Sequence, residues 1–301
     1  MTSTTVRRTT LCLAAVTALT GASACTSGGS SAARDTGGAA HAVPVAALRS
    51  AMRSTDRADS ARVELTTTFG TMMSMKAGGT LAWGHGLTGS LTLIYTGGTM
   101  ADTMRRLGST SMEARYLPDA YYARLGEQFA RRTGGRHWLR YGYTDLAGLG
   151  GGSGAFLQDQ MQNSTPNQSV KLLLASGDVR RLGRETVRGA RTTHYGGTVR
   201  VADLAARGSH LPADQLARLR KQLTAAGVGS ERVDIWVDDH DLLVKQTCAA
   251  QMAMGGMSQT AYYSGYGVRT SVARPPAGDT EDFKELLTKK GVLPGGSGTA
   301  S

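Results

Sequence analysis

From Ala61 onward the apolar residues recur mostly at every second position, and a period of two commits a chain to β-structure. Over 62–69, Val63, Leu65 and Phe69 are apolar while Arg62, Glu64, Thr66 and Thr68 are polar. Alternate side chains of a strand point to opposite faces, so this pattern is a strand with one buried face. The same reading gives strands at 74–83, 87–96, 111–117, 120–125 and 137–143, with Leu87, Leu91, Leu93 and Tyr95 sharing one side of their strand. Gly84-His85-Gly86 and Pro118-Asp119 supply turns. Strands resume at 178–187 and 191–200, around Arg188-Gly189-Ala190. They return at 233–237, 242–249, 258–266 and 268–273, where Arg274-Pro275-Pro276 ends the series.

Helical spacing is confined to insertions. Short pieces are expected at 156–162 and 170–175, beside a glycine-rich loop over 148–154. A longer helix starts at Pro212, aligns Leu216, Leu219 and Leu223, and stops at Gly227. A last helix is expected over 279–290.

The strands number about ten or eleven, largely antiparallel, and a sheet that long must curl or split. A curled sheet has a concave side, and the inserted helices are available to cover it. The space between them is an apolar groove or cavity, the default place for a ligand. Only three cysteines occur, Cys12, Cys25 and Cys248, so a disulfide framework is not what holds this core.

The start of the chain reads as an export signal. Arg7 and Arg8 form a positive n-region, an apolar stretch runs from Leu11 to Leu19, and small residues follow to Ala24. The apolar run is far below the roughly 20 residues of a membrane span. Ala22-Ser23-Ala24-Cys25 resembles the lipobox of bacterial lipoproteins, with Ala22 where that motif usually has Leu. It implies cleavage before Cys25 and acylation of its thiol; ordinary cleavage nearby, leaving Cys25 a free thiol, is the alternative. Arg7-Arg8 is a weak match to a twin-arginine signal, since no Phe-Leu or Lys follows in register. The expected organisation is a signal peptide at 1–24, a lipidated polar tether at 25–44, a folded domain at 45–290 and a disordered tail at 291–301. Anchoring would place the domain at the cell membrane, on its extracytoplasmic face.

Formal net charge is +11, but the basic residues are scattered, with no arginine-rich helix and no stacking aromatic array. Nucleic acid is therefore not an expected partner. Attraction to anionic headgroups beside the anchor and a generally soluble basic surface are both open.

Three stretches carry a resemblance: Asp119-Ala120-Tyr121-Tyr122-Ala123-Arg124 with Arg136-His137-Trp138-Leu139; the hairpin from Val179 to Tyr195; and Val233-Asp234-Ile235-Trp236-Val237-Asp238 with Leu242-Leu243-Val244-Lys245. In this order behind a lipobox they are similar to the LppX–LprAFG lipoproteins of actinobacteria, within the LolA-like group. The likeness spans about residues 45–285 and rests on strand-hairpin patterns rather than a catalytic signature. It implies an α+β fold with a single strongly curved antiparallel sheet, a half-barrel, whose concave face is covered by helices. It also implies lipid or glycolipid acyl chains in the apolar space, carried or presented in the envelope. No motif fixes a headgroup.

Candidate lining residues follow from the alternation: Val63, Leu65, Leu91, Leu93, Val233 and Ile235 on strand faces, with Met252 and Met254. The methionines form two groups, Met72, Met73 and Met75, and Met252, Met254 and Met257. Thioethers adapt to irregular apolar partners, in an acyl-chain groove or in an ordinary core. Cys248 with the second group also has soft-metal donor chemistry, but no His joins it, and no metal or other cofactor is assigned. Asp238-Asp239-His240-Asp241 sits between strands and reads as a turn. Gly151-Gly152-Ser153-Gly154-Ala155 lacks the second flanking glycine of a nucleophile elbow. The six histidines (His41, His85, His137, His194, His210 and His240) show no paired ligand spacing, and Trp83, Trp138 and Trp236 read as core or sheet-face residues. No catalytic residue is assigned. Two functions remain: a lipid-binding envelope lipoprotein, or a scaffold lipoprotein with a filled core and a protein partner of unknown kind. A secreted hydrolase would need a Ser, Asp or Glu held by His beside a pocket, and nothing local provides one.

Overall fold

The computed structural model describes residues 36–147, 165–202, 213–225, 227–252 and 255–289. The signal segment, Cys25, the start of the tether, Met254, Ser153, the helix read at 156–162, and the tail at 291–301 lie outside them. The chain divides into two units, Met1–Thr36 and Gly37–Ser301, and the fold is that of the second.

Twelve strands form one sheet: β1 (Ser60–Phe69), β2 (Met73–Ala82), β3 (Thr88–Gly97), β4 (Ser111–Tyr116), β5 (Ala120–Arg124), β6 (Trp138–Gly142), β7 (Arg180–Val187), β8 (Ala190–Arg200), β9 (Ser230–Asp238), β10 (Leu243–Met252), β11 (Gly255–Ser264) and β12 (Thr280–Asp282). Their order is β12-β6-β5-β4-β3-β2-β1-β11-β10-β9-β8-β7. Two meanders, β1 to β6 and β7 to β11, join where β1 pairs with β11, from Arg62 opposite Ser264 to Phe69 opposite Met257. Neighbours are antiparallel except β12, which lies parallel to β6.

Among the described residues the α-helices are α1 (Thr36–Ala58), α2 (Gly98–Arg106), α3 (Glu127–Arg132), α4 (Tyr143–Ala147), α5 (Asn167–Ala175), α6 (Ala213–Ala225) and α7 (Phe283–Lys289). α1 turns Val45, Leu48, Ala51 and Thr55 to the interior at spacings of three and four residues, which one helix face requires. α5 buries nearly its whole length, from Asn167 to Ala175. Both pack on the same sheet face, in one cluster with residues from β1 to β4 and β8 to β11, so the sheet curls around them as a half-barrel. Glycine permits the curl at two places. A Cβ on Gly79 of β2 would stand 2.0 Å from the Ser90 carbonyl oxygen, and one on Gly89 of β3, where φ is +148°, would stand 2.2 Å from that of Thr80.

The free edge at β7 is solvent-exposed from Arg180 to Thr186, and carries arginines and a register shift between Arg181 and Gly183. Charge and irregularity of this kind discourage pairing with another chain.

Three expectations need correction. Residues 268–273 form no strand, because β11 already has β1 and β10 on its two edges; the segment instead leads to the far edge of the sheet. There Thr280–Asp282, read as helix, forms β12, and α7 begins only at Phe283. The segment read as tether already contains the start of α1, a helix with Pro44 inside it.

The concave face as the candidate functional site

Alternation along each strand and register between strands decide which side chains meet on the concave face. Leu65 on β1 stands opposite Ala77 on β2 and Ala261 on β11. Ala77 faces Leu93 on β3, and Ala261 faces Gln246 on β10, which faces Ile235 on β9. The adjoining row carries Tyr263, Val63, Gly79 and Leu91. Val63, Leu65, Leu91, Leu93, Val233, Ile235 and Met252 therefore share one face and one apolar cluster.

Helices cover these positions unequally. Val233 and Ile235 are fully buried and Val63, Leu91 and Leu93 nearly so, whereas Leu65 and Met252 are only partly buried. The covered part is fastened by polar contacts to α1. The Trp83 indole donates to the Thr55 carbonyl at 3.1 Å, the Asn167 amide donates to the Met52 carbonyl at 3.0 Å, and the Ser50 hydroxyl donates to the Asp241 carboxylate at 2.7 Å.

The less covered end is where the sheet unites the two methionine groups. Phe69 stands opposite Met73 across β2 and opposite Met257 across β11. One row along, Thr67 lies between Met75 and Gln259. Met75, Met252 and Met257 are partly buried against the core cluster. Residues at opposite ends of the sequence thus line one flexible apolar patch.

Beyond β3 the concave face is aromatic. Tyr116 meets Tyr121 edge-on at 5.1 Å between ring centroids, Tyr121 meets Tyr141 at 5.7 Å, and Tyr141 meets Phe283 at 4.7 Å. Removal from water, which penalises the phenolate, pushes the Tyr116 and Tyr141 hydroxyls up to about 12. The sequence reading did not assign these tyrosines, although Leu139 and Tyr141 show the period-two signal. Cys248 is buried on the same face, with burial and the neighbouring Glu231 carboxyl pushing its thiol up to about 12.

The remaining polar candidates lie elsewhere. In the turn after β9, Asp238 accepts from the backbone N–H groups of His240 and Leu242, and Asp241 has φ +59°, as a turn requires. His137 is hydrogen-bonded to Asp279 at 2.7 Å; His194 stacks on Trp236 at 4.1 Å and approaches Asp234 at 2.9 Å. Trp83 belongs to the concave core. Trp138 and Trp236 belong to small clusters on the other face, beneath the cations of Arg115 at 4.5 Å and Lys245 at 3.9 Å. No helix among the described residues is long and apolar enough to cross a membrane.

No family model matches the chain. Two curated relatives do. A Streptomyces coelicolor protein named as a lipoprotein, SCO4650, is 51 % identical over 310 aligned residues, covering 97 % of this chain and all of that one. A 31.2 kDa protein encoded between rplA and rplJ in Streptomyces griseus is 52 % identical over 255 residues, or 84 % of each chain. The chain belongs to the family of these two Streptomyces proteins. Among solved structures it is similar to the lipoprotein LppX of Mycobacterium tuberculosis, 13 % identical, over 77 % of this chain and 99 % of that one, with a TM-score of 0.48. It is also similar to LprF of Mycobacterium bovis, 14 % identical, over 78 % and 98 %, with a TM-score of 0.44.

Proposed function

We propose that this protein is a lipoprotein anchored through Cys25 on the extracytoplasmic face of the cell membrane, and that its concave face takes the acyl chains of a lipid or glycolipid. The observation that carries the reading is the meeting of Met73, Phe69 and Met257 in one row at the less covered end of the half-barrel. Each CH₂ moved there from water contributes about 0.8 kcal/mol, so a long chain binds with few polar contacts. The relative named as a lipoprotein supports the anchor. Binding of this kind needs no catalytic group. The test is to purify the full chain carrying Cys25→Ala under native conditions, extract it, and look for stoichiometric lipid by mass spectrometry. A chain that carries none and ignores added phospholipid and glycolipid removes the reading.

A second reading, an envelope scaffold with a filled core, is favoured by one observation. Val233 and Ile235 have no exposed surface, so the concavity is occupied by protein at those rows. It predicts the empty outcome of the same extraction.

A further inference from the structure

Among the apolar rows of the concave face runs one polar strip. Glu231 on β9, Gln246 and Cys248 on β10 and Ser169 on α5 are each exposed by no more than 6 %. Gln246 stands opposite Ile235 and Ala261, Cys248 opposite Val233 and Gln259, and Glu231 opposite Ala250. The Ser169 hydroxyl lies 3.4 Å from the Cys248 sulfur, and the Glu231 carboxyl neighbours the thiol on the other strand.

This strip is rich in acceptors and short of donors. Among the described residues Gln246 Oε1 has no hydrogen-bond partner, and no cation pairs with the Glu231 carboxyl beside the Cys248 thiol. A buried acceptor left unpaired keeps the whole cost of its desolvation, so an apolar side chain would serve a purely structural core better. The rows of the strip also run into the methionine end. That of Cys248 passes through Gln259 and Thr67 to Met75, and that of Glu231 through Ala250, Met257 and Phe69 to Met73.

We propose that Glu231, Gln246, Cys248 and Ser169 form the polar subsite of the lipid site, and that it takes a hydroxyl carried along an otherwise apolar chain. The proposal rests on the lipid-binding reading and names the ligand class within it. A chain lying over the methionines meets Glu231 and Cys248 along their own rows; Gln246 lies one row further in, between fully buried Ile235 and Ala261, in a row that is only partly buried at Leu65. A hydroxyl supplies the missing donor to Gln246 Oε1 and can accept from Ser169. An ammonium would also donate, but it must first be stripped of strongly bound water.

The experiment is competition for a bound fluorescent fatty acid on the full chain carrying Cys25→Ala. The probes are octadecanoic acid, its mid-chain hydroxylated counterpart and octadecylamine. The hydroxylated acid is expected to bind about five- to tenfold more tightly than the plain acid, the size of one neutral hydrogen bond. Gln246→Met, which removes the unpaired acceptor at similar volume, is expected to fold at least as stably and to bind octadecanoic acid and its hydroxylated counterpart equally. Equal affinities in the Gln246-containing chain, or a preference that survives Gln246→Met, overturn the subsite and leave the lipid reading standing. Tightest binding of the amine overturns the choice of hydroxyl. Failure of all three probes to bind overturns the lipid reading and the subsite together.

Discussion

The indole Nε1 of Trp83 donates to the backbone carbonyl of Thr55 at 3.1 Å, fastening the end of α1 to the strand end beyond β2. Both residues are buried and the ring meets Tyr266 edge-on, so donor and packing act together. Trp83→Phe keeps an aromatic ring but removes the donor and part of the volume. It is expected to lower stability by about 2–3 kcal/mol, read as a lower urea midpoint at an unchanged slope. No change in the midpoint would mean that α1 is not held through this contact.

Stability and ligand binding should separate along the concave face. Ile235 is fully buried beneath helices, and Ile235→Ala is expected to cost about 2–5 kcal/mol. Met257 is only partly buried, so Met257→Ala should cost less, about 1 kcal/mol, while weakening acyl-chain binding several-fold. Denaturation and fatty-acid titration of the two variants check this. The proposed site is misplaced if Met257→Ala binds as tightly as the parent chain.

How much of this was readable beforehand follows from the two periods. Strand alternation between Ala61 and Tyr266 places Val63 with Leu65, and Val233 with Ile235, on one face of their own strands, because a period of two survives in any register; that the two pairs share a face comes from the strand pairing and burial. What alternation does not contain is which strands adjoin. That Phe69 lies between Met73 and Met257 depends on β1 joining β11 at long range. α1 escaped because Val45, Leu48, Ala51 and Thr55 make a thin stripe with a threonine in it, interrupted by Pro44 at its start. β12 escaped because three residues cannot display a period. Glu231 and Gln246 did leave a signal, polar residues at inward positions of strands otherwise apolar on that side, which only a known facing makes visible.

The contact of His137 with Asp279 sets a pH window. The carboxylate of Asp279 raises the His137 pKa above its ordinary 6.5. Partial burial works against ionised Asp279, but the hydrogen bonds from the His137 backbone and ring outweigh it and lower its pKa below 3.8. A raised histidine stabilises fully below 6.5 and stops doing so as the pH rises through its folded value. A lowered carboxylate stabilises above 3.8 and stops as the pH falls through its own. The stability difference between the parent chain and Asp279→Asn should therefore be larger at about pH 5 than at about pH 9. Equal differences at both would show that the ring is not charged in the folded chain.

Thiol counting tests the anchor and the core in one experiment. A sulfhydryl reagent needs the thiolate, and burial beside Glu231 holds the Cys248 thiol up at about 12. The native mature chain is thus expected to be inert to such a reagent at about pH 8. If Cys25 carries a thioether-linked lipid, it stays inert after unfolding as well, since a thioether has no proton to lose. Denaturant should then release a single reactive thiol, assigned to Cys248 by peptide mass. Two thiols after unfolding would mean that Cys25 was never acylated. A fast reaction before unfolding, mapped to Cys248, would mean that α5 does not seal Ser169 over that sulfur.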